Sequence, residues 1–149
     1  INGIFSLNEK RHHEIRTSIN HLTENTKSYQ LIKSVLDDYS KSAYQGKIFV
    51  NSDAQKTDGY QLSKAILLSE NAEFNAKPEL EIYADDVKCS HGSASGSLDE
   101  NSIFYLMSRG LNYQQSKELL INGFILDVIE KITDNEVRNL IKNLIGVKE

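Results

Sequence analysis

The chain has 149 residues, long enough for one domain with a real core. With a formal charge of −4 and no Lys/Arg cluster, it lacks the basic face that tracks nucleic-acid phosphates. No apolar run reaches the ~18 residues a membrane span needs, and a single cysteine can make no internal disulfide, which fits a reducing cytosol.

From Ile1 to about Leu98 the pattern predicts short strands with little helix. Ile4, Phe5 and Leu7 open the first. Ile15, Thr17 and Ile19 share a face of the second, with Arg16 and Ser18 opposite, the period-two signature of a half-buried strand. Tyr29 to Leu36 holds neither period well. Gly46 and Lys47 lead into Ile48, Phe49 and Val50, strand-like by their β-branched and aromatic content. Another strand is predicted over Leu62–Leu68, and Phe74 starts the next. Asn51–Asp53, Thr57–Gly59 and Ser69–Asn71 read as turns. Leu80, Ile82 and Ala84 share one face, Glu79 and Glu81 the other, and Asp85-Asp86 turns the chain. Val87, Cys89 and His91 then fall on one face of a further short strand, after which Gly92 and Gly96 are expected to bend the backbone. A spacing of roughly 8–12 residues between strands is the rhythm of sandwiches, barrels and β-solenoids, and periodicity does not choose among them.

After Leu98 the period changes to about 3.6. Asp99 is the N-cap of a first helix with Ile103, Leu106 and Met107 as its stripe, closed by Gly110. Asn112 caps a second, with Gln115 as capping-box partner and Leu119, Leu120, Phe124, Val128 and Ile132 as its apolar face. Gly123 inside that helix costs ~1 kcal/mol relative to alanine, so close packing is expected there. Asp134 caps a third helix carrying Val137, Leu140, Ile141, Leu144 and Ile145, ended by Gly146.

Cys89 and His91 are the sharpest pair. Two residues apart on a strand, their side chains share a face, and thiolate and imidazole both ligate zinc or iron. The ordinary alternative is a small buried cysteine beside a hydrogen-bonded histidine. His12, His13 and His21 form a second group, where His13, Thr17 and His21 have one parity; interior histidines bonding turn carbonyls explain them without metal. Glu79 and Glu81 with Asp85 and Asp86 could be taken for a general acid–base pair, but a solvated strand face and a turn suffice. Arg109 suits a helix C-terminus electrostatically. No GxxxxGKS loop or GxSxG elbow is present.

Several stretches together carry a resemblance. KPELEIYADDVKCSHG at Lys77–Gly92, GxLD at Gly96–Asp99 and FYLxSRG at Phe104–Gly110 closely resemble the C-terminal part of the SufB/SufD family, scaffold proteins of iron–sulfur cluster assembly. His13, Thr17 and His21, the run Ala54–Thr57 with Gln61 and Leu67–Ser69, and Gly46 before Ile48 follow the same family's pattern. Ser90–Ser93, SHGS, sits where SufB has an EHEA-like run, so the likeness is closer to SufD. Gly59, Ser93–Ser95 and the helices beyond Leu111 depart from the pattern.

The resemblance implies a mainly β chain with an α C-terminus: a right-handed parallel β-helix, a single-stranded solenoid, over residues 1–98, capped by a small helical subdomain over 99–149. It reads Gln55 and Gln61 as ladder residues of the coils. It implies a non-catalytic cytoplasmic subunit that pairs with a SufB-type subunit near Cys89 and His91 and docks a SufC-type ATPase on its C-terminal helices. His91 occupies the position of a residue of the family's cluster-building site. A cluster normally takes four thiolates or a thiolate–histidine mix. With one cysteine this chain binds none alone, so the cluster is expected to form transiently at an interface whose other ligands come from the partner. The competing reading is a β-helix thiol enzyme with Cys89 as nucleophile and His91 as base. The start at Ile1, with the resemblance, gives the expectation of a fragment whose cut edge is covered by dimerisation.

Overall fold

The structure, a computed structural model, describes residues 1–146. It is mostly parallel β, a solenoid of about three turns, with three helices toward the C-terminus. Two compact units divide it, Ile1–Ser95 and a second from Gly96 onward. Of the helical stretch expected over 99–149, residues 147–149 lie outside the described residues.

The first unit holds strands β1 (Asn2–Leu7), β2 (His12–His21), β3 (Lys27–Leu36), β4 (Lys41–Val50), β5 (Asp58–Leu67), β6 (Glu73–Ile82) and β7 (Lys88–Gly96). Odd and even strands segregate into two sheets, ordered β1-β3-β5-β7 and β2-β4-β6. Each turn therefore lays one strand in each wall. Asn2 lies beside Leu31, His12 beside Lys41, Lys27 beside Asp58 and Lys41 beside Glu73, so neighbours in space are 29 to 32 residues apart in sequence. No hexapeptide repeat is needed, because the repeating unit is the whole coil.

The alternation predicted for β2 is present, its odd-numbered residues half-buried from His13 to Ile19. The mixed stretch Tyr29–Leu36 is an unbroken strand, and β4 and β5 begin several residues before their predicted starts. Phe74 and the Glu79–Ile82 alternation belong to one strand, β6, with Ala84 buried beyond its end. Gly92 does not bend the chain: β7 runs through it to Gly96. At the corners, Glu9, Asn25, Asp38 and Lys56 take positive φ between 54° and 59°. They stack in pairs, since the Tyr39 N–H bonds the Glu9 carbonyl and the Asn25 N–H the Gln55 carbonyl, each at 2.9 Å.

Inside the coils, Ile48, Val50, Ala54 and Ala84 form an apolar cluster. Buried polar groups share the interior with it. Gln30 lies beside Gln61 as a ladder rung, both at most 1% exposed. Gln55 is no ladder residue: its amide bridges corners, donating to the Ser52 carbonyl and accepting from the Asp86 N–H, both at 2.9 Å. His21 is buried between hydroxyls rather than carbonyls, Nδ1 2.7 Å from Thr26 Oγ1 and Nε2 2.8 Å from Ser28 Oγ.

Burial pushes the His21 imidazole below its ordinary 6.5. The folded state holds it neutral, while the unfolded chain takes up a proton as pH falls through that value. Its contribution to stability is therefore present above pH 6.5 and is lost as pH drops toward the lowered folded value. His21→Asn is expected to flatten the acid side of a plot of melting temperature against pH; a slope equal to the wild type's contradicts this.

In the second unit, α1 (Glu100–Ser108), α2 (Tyr113–Ile129) and α3 (Asn135–Ile145) begin at the predicted caps. Asp99 accepts from the Ser102 N–H, Asn112 and Gln115 form a reciprocal capping box, and Asp134 accepts from the N–H groups of Glu136 and Val137. Gly146 ends α3 at φ 71°. The buried positions of α2 are Ser116, Ile125, Val128 and Ile129; Leu119, assigned to its apolar face, is 51% exposed. A Cβ at Gly123 would meet nothing within 4 Å, so the close packing expected there is absent.

Candidate functional site

β7 is the last strand of its sheet, and β6 the last of the other. Corner bonds hold β7 in place: the Lys56 N–H donates to the Asp86 carbonyl at 2.6 Å and the Lys88 N–H to the Thr57 carbonyl at 2.8 Å. One turn below, the Asp58 N–H bonds the Thr26 carbonyl where Lys27 pairs with Asp58. The same offset sets Lys88 beside Asp58, Cys89 beside Gly59 and His91 beside Gln61. Thr57, buried, closes its corner by donating to the Ala54 carbonyl at 2.8 Å.

Cys89 and His91 share a strand but not an environment. Cys89 is half-buried and packs against the apolar cluster of Ile48, Val50, Ala54 and Ala84. Burial pushes its thiol above the ordinary range; a hydrogen bond from the Gly59 backbone works the other way, and the Asp58 carboxylate adds to the rise. A nucleophilic or resident metal-binding cysteine needs the opposite shift. His91 is exposed on the terminal rung. The strand thus offers an accessible imidazole and, two residues earlier, a recessed thiol.

The other predicted groups lie elsewhere. His12 is exposed, His13 stacks on Phe5 with centroids 4.6 Å apart, and His21 is the buried histidine described above. Among the described residues no three His, Cys, Asp or Glu side chains converge as a metal site. Glu79 and Glu81 line the outer face of β6 in ion pairs, with Lys77 at 3.1 Å and Lys47 at 2.5 Å respectively. Hydrogen bonds from those lysines hold both carboxyls below the usual range, the wrong direction for a general acid. Gly59, expected to close a turn and to depart from the family pattern, is the second residue of β5 and sits directly against the Cys89 sulfur: a Cβ there would lie 3.3 Å from Sγ.

The second unit exposes large apolar side chains. Phe104 and Tyr105 on α1 are 72% and 57% exposed, and Leu140 and Leu144 on α3 are 58% and 75% exposed. Tyr105, Leu106, Leu119 and Leu120 line a groove of about 390 Å³ between α1 and α2. No helix among the described residues is long and apolar enough to cross a membrane.

Residues 1–124 match the family described as "SUF system FeS cluster assembly, SufBD core domain". The chain is 38% identical over 133 residues to the iron–sulfur cluster assembly protein SufD of Escherichia coli, covering 89% of this chain and 31% of that protein. It is 43% identical over 103 residues to a SufBD family protein of Synechocystis, covering 69% and 23%. With the chloroplastic protein ABCI7 of Arabidopsis thaliana it shares 41% over 117 residues, covering 78% and 25%. The chain spans between 23% and 31% of the length of these relatives.

Proposed function

The chain belongs to the SufBD family, and from that premise we propose that it is part of a non-catalytic scaffold subunit of iron–sulfur cluster assembly, acting in the cytoplasm. The observation that carries this reading is an exposed histidine on the last rung of a solenoid that ends in strand edges. Sheet edges recruit further strands by their unpaired N–H and C=O groups. A SufB-type subunit adding to these edges is brought alongside His91. The imidazole is then one ligand, and thiolates of the second chain supply others. Cys89 does not act as a nucleophile here, because its sulfur is recessed and its thiol stays protonated further up the pH scale.

The helical unit is the docking surface for a SufC-type ATPase. Exposed aromatic and aliphatic side chains on α1 and α3 are the kind of anchors on which such contacts form. Nucleotide binding by that partner reshapes the edge-to-edge contact, and the cluster is held only transiently.

Co-expression of the full-length protein with SufB-type and SufC-type subunits tests the proposal. The expected result is a co-purifying complex that gains visible cluster absorbance and acid-labile sulfide only when both scaffold chains are present. Stoichiometric reconstitution of a cluster on the full-length protein by itself contradicts it.

A further inference from the structure

We propose that Gly59 is a positioning residue for Cys89: by lacking a side chain it provides the recess in the coil wall that holds the thiol, leaving His91 as the exposed donor of β7. A Cβ built on Gly59 would lie 3.3 Å from Cys89 Sγ, and 3.4 and 3.6 Å from Cγ2 and Cδ1 of Ile48. The distances to Ile48 are ordinary contacts, whereas the one to Sγ is a few tenths of an ångström too close. Ile48 is wholly buried in the cluster of Val50, Ala54 and Ala84 and has nowhere to go. Cys89 is half-buried on the terminal strand, and one turn about its χ1 swings the sulfur out of the recess. The group that moves on adding a methyl at position 59 is therefore the thiol.

The recess has a chemical consequence. In it the sulfur packs against the apolar cluster of Ile48, Val50, Ala54 and Ala84 and is withdrawn from solution. A withdrawn thiol neither competes with His91 for iron nor oxidises readily while the edge is uncovered. The purpose given to Gly59 rests on the reading of β7 as a cluster-building edge; the geometry does not.

The test is site-resolved alkylation of the full-length protein without its partners. Iodoacetamide labelling of Cys89 at neutral pH is followed by mass spectrometry of its peptide, in the wild type and in Gly59→Ala. The expected result is a rate at least about three-fold faster in Gly59→Ala, as the sulfur leaves its recess. An unchanged rate overturns the assignment. Because Gly59→Ala could weaken folding, melting temperatures of Gly59→Ala, Cys89→Ala and the double variant form a cycle. The loss caused by Gly59→Ala is expected to shrink in the Cys89→Ala background, where no sulfur opposes the new methyl. An equal loss in both backgrounds overturns the assignment. Neither readout involves a cluster, so failure here leaves the proposed scaffold role standing, and failure of cluster assembly leaves this geometry standing.

Discussion

Gly46→Ala is expected to destabilise the protein by about 3 kcal/mol, the upper end of what overpacking a filled interior costs. Gly46 lies mid-strand in β4 with its missing side chain aimed into the coil. A Cβ there would approach Gln61 Oε1 and the Tyr44 hydroxyl oxygen within 2.5 Å, and Tyr44 Cζ at 2.7 Å. Both neighbours are side-chain ends, which elsewhere could swing aside. Here Tyr44 is 2% exposed and Gln61 1%. The Tyr44 hydroxyl is engaged with Gln30 Oε1 and Thr17 Oγ1, each at 3.1 Å. Gln61 Nε2 donates to the Gly46 carbonyl itself at 3.1 Å. Making room for a methyl therefore breaks buried polar contacts between the two sheets, which cost more to leave unmade than they contribute when formed. Urea unfolding measures the change; a loss within about 0.5 kcal/mol, the ordinary range for surface substitutions, contradicts this packing account.

The second large effect is on assembly. In the co-expressed complex, His91→Ala is expected to lower cluster content at least about ten-fold, the low end of what removing even a supporting group costs a metal site. Cys89→Ala is expected to retain most of it, because its sulfur is recessed against the apolar cluster whereas His91 is exposed. His91 is exposed, so its replacement should leave the melting temperature essentially unchanged, separating a lost ligand from a lost fold. Iron and acid-labile sulfide per complex decide the matter. Equal losses in the two variants contradict the division of labour along β7.

How much of this was legible in the sequence depends on which contacts shape each element. The three helix caps are local, a side chain three residues from the N–H it satisfies, and Asp99, Asn112 and Asp134 all stand where their residue types put them. Strand alternation in β2 was legible because one face is wetter than the other. In β3 it was not: Gln30 through Leu36 are buried on both parities, so no polar–apolar rhythm remains to be read. The starts of β4 and β5 were missed for a related reason. Apart from Tyr44 and Tyr60, their first residues, Lys41–Gln45 and Asp58–Gln61, are polar or small, and the register with the coil below makes them strands. The resemblance, not the periodicity, distinguished a solenoid from a sandwich, since stacking contacts here join residues 29 to 32 apart. The pairing of Cys89 with His91 came from spacing, but their unlike exposure did not. That difference depends on Gly59 and Ile48, which only the stacked fold brings against the sulfur.

The most direct measurement is pulsed EPR on the reduced, cluster-loaded complex, assembled so that only this subunit carries 15N-labelled histidine. A strongly coupled 15N nucleus in the wild type that vanishes in His91→Ala is the predicted result. No such coupling in the wild type, or one that persists in the variant, contradicts a cluster ligated by this imidazole.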